Sequence, residues 1–382
     1  MKDLPIYLDY NATTPVDPLV ALAMQPWLGE CFGNPSSAHP YGEEAKVAVE
    51  MARAEVAALI GGRPGDMIFC GSATEANNLA IFGVARALRG KQRHLVTSEI
   101  EHPSVMQPMR WLEAEGWQLT VLPVDGAGRV RMEAAAQAIR RDTALISVML
   151  ANNETGTMQP VSEIAALAHA RGAFMHVDAA QGAGKIPINV HDLGADLLTL
   201  AGHKFYAPKG VGALYVREGT PILPIMAGAG HERGLRPGTE NVPYIVALGT
   251  AARLAQEGLA REAARLQQLR DALHERLVIA IPALLPNGHP AERLPNTLNL
   301  SFPGVAGWQL LAAAPEIAAS TGSACHGGGH TVSDILAAMS MPREQALGAL
   351  RLSLGRFTSE AEIDGAASVL IAAWRRLTGT VG

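Results

Sequence analysis

Only three cysteines, Cys31, Cys70 and Cys325, occur among the 382 residues, too few and too scattered for a disulfide framework or a CxxC metal site. No bound metal is expected. Long apolar runs are also missing: none could cross a bilayer, and the opening Met-Lys-Asp-Leu-Pro-Ile-Tyr lacks the apolar core of a signal peptide. A soluble, cytoplasmic protein with no membrane partner is therefore expected. The net charge is -5, with no basic tail or Lys/Arg cluster, so nucleic acid has no electrostatic footprint to bind. There is no internal repeat and no low-complexity segment. What the chain does have is apolar: 48% hydrophobic against 18% charged residues supplies a large core and argues against disorder. Its length exceeds what a single core usually supports, so two domains are expected.

The opening Tyr7–Pro15 reads as a short extended piece and a turn, and Pro18 starts a helix through about Leu28. After the Gly33–Ser37 loop, Ser36 or Ser37 is placed to cap a helix from Glu43 to Ile60, with Val47, Met51, Val56 and Leu59 on its helical period. From Met67 onward, apolar strands alternate with amphipathic helices. Met67–Cys70, Leu95–Thr97, Thr120–Val124, Ala144–Leu150, Phe174–Val177, Leu197–Leu200 and Val211–Val216 read as strands. Ala76–Leu88, Ser104–Glu115, Met132–Arg140 and Val161–Arg171 read as helices between them. The pattern predicts an α/β protein with a mostly parallel seven-stranded sheet between helices, which binds ligands at the carboxyl ends of its strands. A long helical region after Val242 and a Pro-rich stretch lead to a second, smaller α/β unit, with a strand at Thr297–Phe302 and a closing helix at Glu360–Leu377. The expected division is a large domain over 16–260 and a small one made of 1–15 with 261–382.

Two residues at predicted strand ends carry the chemistry. Asp178 ends the apolar Phe174-Met175-His176-Val177 run, where an unpaired carboxylate would be costly. Lys204 lies in Gly202-His203-Lys204, directly after Leu197–Leu200. An Asp that must meet a cation and a Lys that must form an imine together point to pyridoxal 5'-phosphate as cofactor. Gly71-Ser72-Ala73-Thr74-Glu75 joins a strand to a helix, which suits a phosphate or an ordinary helix cap equally well. His102 follows a strand and reads either as a cap or as a group that stacks on a cofactor and moves protons. Asn152-Asn153-Glu154-Thr155-Gly156 likewise ends a strand, where asparagines are usually structural.

Together with Asp9-Tyr10-Asn11-Ala12-Thr13-Thr14, Arg236-Pro237-Gly238-Thr239-Glu240-Asn241 and Ser323-Ala324-Cys325, these segments closely resemble those of the NifS/IscS-type cysteine desulfurases, in order and over almost the whole chain. That family is of class V and fold-type I among pyridoxal phosphate enzymes. The resemblance implies that Lys204 binds the cofactor covalently, Asp178 pairs with its ring nitrogen and Gln181 faces its ring hydroxyl. It implies that His102 stacks on the ring and shuttles protons. Ala73, Thr74 and His203 would bind the phosphate, with Thr239 reaching across a homodimer interface. Asn153 would touch both cofactor and substrate. Asn11, Asn153 and Arg351 would hold the substrate, the guanidinium suiting its carboxylate.

Cys325 decides the activity. It lies in Ser323-Ala324-Cys325-His326-Gly327-Gly328-Gly329-His330, where three glycines leave little side chain to pack and His326 or His330 stands near to help ionise the thiol. Cys70, at a strand end, reads as structural, and Cys31 as incidental. The resemblance implies conversion of L-cysteine to L-alanine with a persulfide left on Cys325 for a sulfur acceptor, an iron–sulfur scaffold protein among the candidates. Three departures stand out. Ala201 occupies a place where the family usually has a phosphate-binding serine. The Ala-Cys-His and glycine-rich stretch is also similar to selenocysteine lyases, which release selenide from L-selenocysteine. The chain ends soon after Leu377, where relatives carry a longer scaffold-docking tail. A class V aminotransferase and a non-catalytic sulfur-relay or scaffold-binding subunit are the more distant readings.

Overall fold

The computed structural model describes residues 4–321 and 332–380. A two-residue strand, β1 (Ile6–Tyr7), precedes helices α1 (Pro18–Met24) and α2 (Pro40–Leu59). The chain then alternates through β2 (Met67–Cys70), α3 (Ala73–Ala87), β3 (His94–Ser98), α4 (Pro103–Ala114), β4 (Gln118–Leu122) and α5 (Met132–Ala138). It continues through β5 (Thr143–Met149), α6 (Val161–Ala170), β6 (Phe174–Asp178), β7 (Leu197–Ala201) and β8 (Gly212–Val216). These strands form one seven-stranded sheet in the order β2-β8-β7-β6-β5-β3-β4. Every pairing from β7 through to β4 is parallel, and only β8 runs antiparallel to both of its neighbours. Strands β5, β7 and β8 are buried at every residue, as an apolar sheet covered on both faces requires.

The 39-residue helix α7 (Val242–Ala280) is continuous. Its buried residues up to Ala255 join the core on one face of the large sheet, whereas Leu266, Leu269, Leu273 and Leu277 belong to a second core. That core is closed by a three-stranded antiparallel sheet of β9 (Leu285–Asn287), β10 (Thr297–Ser301) and β12 (Ala349–Ser353), and by the Glu360–Thr378 helix. The N-terminal β1 pairs with β11 (Ile317–Ala318), and Asp9 bridges to Ser353, so the first residues of the chain are packed with the last hundred. Among the described residues no helix is long and apolar enough to cross a membrane.

Two local expectations for α2 are corrected. His39 caps the helix, its Nδ1 accepting from the Gly42 amide at 3.3 Å, so neither Ser36 nor Ser37 does so. Val47 and Met51 are 59% and 66% exposed, and Ala45, Val49, Ala52 and Val56 face inward. The cause is a close helix crossing. A Cβ on Gly249 of α7 would stand 2.6 Å from Ala52, a spacing that small residues permit and a methionine would not. The helix after β2 also starts earlier than its pattern indicates, at Ala73, because Ser72 caps it by accepting from the Glu75 amide at 3.1 Å.

Candidate active site

The carboxyl ends of β5, β6 and β7, the start of α3 and residues from the second core enclose a cavity of about 420 Å³. Ala73, Thr74, His102, Asp178, Gln181, His203 and Lys204 line it from the large sheet's side. Asn11, Asn153 and Arg351 line it from the other. Two of the expected residues are not among them. Thr239 is exposed, in a loop that does not reach the cavity of its own chain. Cys325 lies outside the described residues, as do His326 and His330.

Asp178 is the last residue of β6 and only 5% exposed. Its Oδ2 accepts from Asn77 Nδ2 at 2.8 Å and its Oδ1 from the Ala180 amide at 2.9 Å. A carboxylate has about four lone-pair sites, so acceptor capacity remains toward the cavity. Asn77 also donates to Ser104 Oγ at 2.8 Å. The Ser104 amide in turn donates to His102 Nδ1 at 3.1 Å, which leaves the neutral ring's proton on Nε2. Burial lowers the His102 pKa, with Lys204 acting in the same sense and Asp178 opposing. Asn77 and Ser104 thus link the carboxylate to the histidine, and pattern reasoning had assigned neither a role.

Lys204 follows β7 directly, and its Nζ donates to the Asn11 and Ala12 carbonyls, each at 2.7 Å. Burial, with Arg351 nearby, lowers its pKa to about 8, against the pull of Asp9 and Asp178. The amine is therefore partly neutral near physiological pH, as a nucleophile or base must be. His203 Nδ1 stands 3.1 Å from Thr13 Oγ1, and burial together with Lys204, Lys209 and Lys185 lowers its pKa to about 4. It lines the same cavity as Thr74.

The start of α3 is pressed against the sheet by a glycine. A Cβ at Gly212 of β8 would lie 2.8 Å from the Ser72 carbonyl carbon and 3.0 Å from the Ala73 nitrogen. With hydrogen at that position, the first-turn amides of α3 open onto the cavity together with the Thr74 hydroxyl, a preformed anion cradle. Glu75 braces the turn, accepting from the Gly71 amide at 2.8 Å and from Arg236 Nε at 2.8 Å. Arg236 belongs to the loop that carries Thr239. That loop is anchored at buried Glu232, which takes two 2.8 Å bonds from Arg53 and one of 2.7 Å from the Phe69 amide.

On the opposite side, Arg351 of β12 donates to the Asn153 carbonyl at 3.1 Å and pairs with Asp9 at 2.6 Å, while its buried Nε has no partner among the described residues. Asn11 is 1% exposed and its side-chain amide is saturated. Its Nδ2 donates to Thr297 Oγ1 and the Asn153 carbonyl, and its Oδ1 accepts from Lys185 and Asn296. Glu101 lies below the cavity floor, receiving Ser98 Oγ at 2.5 Å and the Met149 amide at 3.1 Å. Burial raises its pKa to about 8, so it is a protonated acid at neutral pH.

These residues fit pyridoxal phosphate. A buried carboxylate with spare acceptor capacity suits a protonated ring nitrogen, a lysine of lowered pKa suits an imine, and the α3 cradle suits a phosphate. Ala151, Ala180 and Ala201 also line the cavity, each with only a methyl side chain.

The aminotransferase class-V family model matches residues 6–365. A cysteine desulfurase from Mus musculus is 43% identical over 98% of this chain and 82% of its own length. A solved structure described as a NifS-like protein superposes with a TM-score of 0.90 at 36% identity, covering 98% of this chain and all of the other. A structure described as SspA in complex with cysteine superposes with a TM-score of 0.82 at 35% identity, covering 92% of this chain and 99% of the other.

Proposed function

The chain belongs to the aminotransferase class-V family, and from that premise we propose that it is a pyridoxal phosphate-dependent cysteine desulfurase, converting L-cysteine to L-alanine. The observation that carries the proposal is the convergence of Lys204, Asp178, His102 and the α3 cradle on one cavity that Arg351 enters from the other core. When bound, the cofactor supplies a sink for the electron pair left at the substrate α-carbon.

The chain's own groups do the rest. Lys204 would hold the cofactor covalently and serve as the base that takes the α-proton and returns it, burial making its amine less basic than an ordinary lysine. Asp178 would keep a proton on the ring nitrogen. Ala73, Thr74 and His203 would hold the phosphate. Arg351 accepts the substrate carboxylate by exchanging its Asp9 pair for it, and its unpartnered Nε provides a second donor. Asn153 contributes beside it, and His102 moves the proton that the departing product requires. The Cys325 thiolate attacks the substrate sulfur: an S–S bond forms, the C–S bond breaks with its electron pair going to carbon, and a proton completes alanine. Cysteine and a thiol thus become alanine and a persulfide, in balance, and the persulfide passes to an acceptor such as an iron–sulfur scaffold protein.

A homodimer belongs to the same proposal. Leu19, Leu22, Leu28, Phe32, Tyr41, Val47 and Met51 are all more than half exposed along α1, α2 and their connection, an apolar surface that favours a partner. A second copy would bring Thr239 to the neighbouring cavity. The division into a large domain over 16–260 and a small one over 1–15 and 261–382, and a cytoplasmic location, are likewise proposed.

Alanine release from L-cysteine and L-selenocysteine, measured on yellow wild-type protein and on Cys325→Ala, tests the function. Loss of cysteine turnover by at least about 10²-fold in the variant is expected. Full activity of Cys325→Ala on cysteine would sink the persulfide step. Turnover of selenocysteine alone would make the enzyme a selenocysteine lyase, and pyridoxamine phosphate with a keto acid would make it an aminotransferase. A colourless, inert protein would favour a non-catalytic relay subunit.

A further inference from the structure

Lys185 is a buried amine behind the site that the proposed chemistry leaves without a task. It is 7% exposed. Gly184 before it takes φ of +72° and lies so close to the turn after Lys204 that a Cβ would stand 2.8 Å from the Phe205 Cβ. The chain is thereby pinned behind the cavity. Lys185 Nζ donates to Gln181 Oε1 at 2.8 Å and to Asn11 Oδ1 at 3.1 Å, both neutral carbonyl oxygens. Burial pushes its pKa well below the usual lysine value, and Lys204 and Arg351 press in the same direction. Its amine has an N–H donor for each of the two oxygens it faces.

We propose that Lys185 is a positioning residue, which engages the Gln181 and Asn11 side-chain oxygens from behind so that Gln181 offers the cavity only its amide N–H. Gln181 Nε2 donates one hydrogen to the Asn11 carbonyl at 3.0 Å, and the amide lines the cavity. The reverse orientation would set the Gln181 oxygen against that carbonyl. Without Lys185 the oxygen loses its inward partner, and only the Asn11 carbonyl then opposes its turning toward the cavity. Asn11, held by the same amine, spans the two cores through Asn296 and Thr297. The inference rests on the reading of the cavity as a pyridoxal phosphate site, where a Gln181 N–H would stabilise a negatively charged ring oxygen.

The test is a pH titration of the visible absorption of the full-length holo-protein. Lys185→Met keeps the length of the side chain and removes its donors. It should raise the spectral midpoint by about 1 pH unit, the scale of one hydrogen bond to a charged oxygen. Gln181→Met should give a similar rise, and the double variant should rise no further, because one residue acts through the other. Additive shifts, or an unchanged midpoint in Lys185→Met where Gln181→Met moves it, overturn the proposal. Thermal unfolding of the cofactor-free proteins separates lost folding from lost positioning. Should Lys185→Met not fold, Lys185→Gln is carried through the same cycle and judged by the same non-additivity. A wild type that takes up cofactor but turns over no cysteine fails the functional reading while leaving this test intact. A wild type that takes up none overturns both.

Discussion

The two sides of the cavity are built differently. The side facing the large sheet is assembled from short consecutive pieces, each at the end of one parallel strand or the start of the helix after it: Thr74, His102, Asp178, Lys204. Parallel strands deliver their carboxyl ends to one edge by topology alone, so every such motif arrives at the same place. The opposite side is assembled from distant segments. Asp9 and Asn11 come from the start of the chain, Asn153 from the turn after β5, and Arg351 from the antiparallel β12. Here position depends on register and on how the two cores meet. The first side is a preformed seat. The second is a set of paired groups, in which Arg351 holds Asp9, the pair that the proposed function would exchange for a substrate carboxylate.

That contrast can be broken first on the exchangeable side. Arg351→Lys keeps the charge but loses the fork that reaches Asp9 and Asn153 together. The KM for cysteine should rise about 10–100-fold, while the yellow colour and its pH midpoint stay as in the wild type. Steady-state kinetics alongside a spectrum check this, and loss of colour would show that the two sides are not separable.

The floor of the seat is the next place to press. Glu101 has its pKa raised to about 8, so between about 4.5 and 8 the folded state holds a proton that the unfolded chain has released. Stability should therefore fall as pH rises through that window, by up to about 5 kcal/mol, with Glu154, raised to about 7, contributing in the same sense. Glu101→Gln should flatten the profile and gain on the wild type at pH 8 relative to pH 5. Urea unfolding of the cofactor-free protein at the two pH values measures it, and parallel profiles would refute the assignment.

The smallest change sharpens the seat itself. Ala201 ends β7 at the cavity wall, without a hydroxyl. Ala201→Ser adds one donor and should tighten pyridoxal phosphate about fivefold, the worth of about 1 kcal/mol, with cysteine KM unchanged. Equilibrium dialysis of the cofactor reads this directly.

The seven-stranded sheet was legible because its strands are continuous apolar runs between amphipathic helices. Asp178 and Lys204 were legible because a charged residue at the end of such a run has few innocent explanations. Asn77, Glu101 and Lys185 were not. Asn77 is one of two adjacent asparagines on α3, and only the rotation of that helix against the sheet sends it to Asp178. Lys185 sits in a glycine-containing turn, where a lysine ordinarily meets water. The outward placing of Val47 and Met51 was equally hidden, since it follows from how close α7 comes to α2. Asn11 lines the cavity as its motif predicts, and only the structure shows the four bonds its amide makes within the protein.

By itself, the sequence determined the order of the elements, the edge of the sheet at which chemistry gathers, and the residue types present there, because hydrophobic period and strand ends are local properties. Tertiary structure alone decided which of those groups are charged and which way their amides point. Lys204 near 8, His203 near 4 and the orientation of Gln181 are set by burial and by neighbours that include residues far away in the chain, such as Asp9 and Asn11. Desolvation and hydrogen bonding act through space, and no local pattern records them.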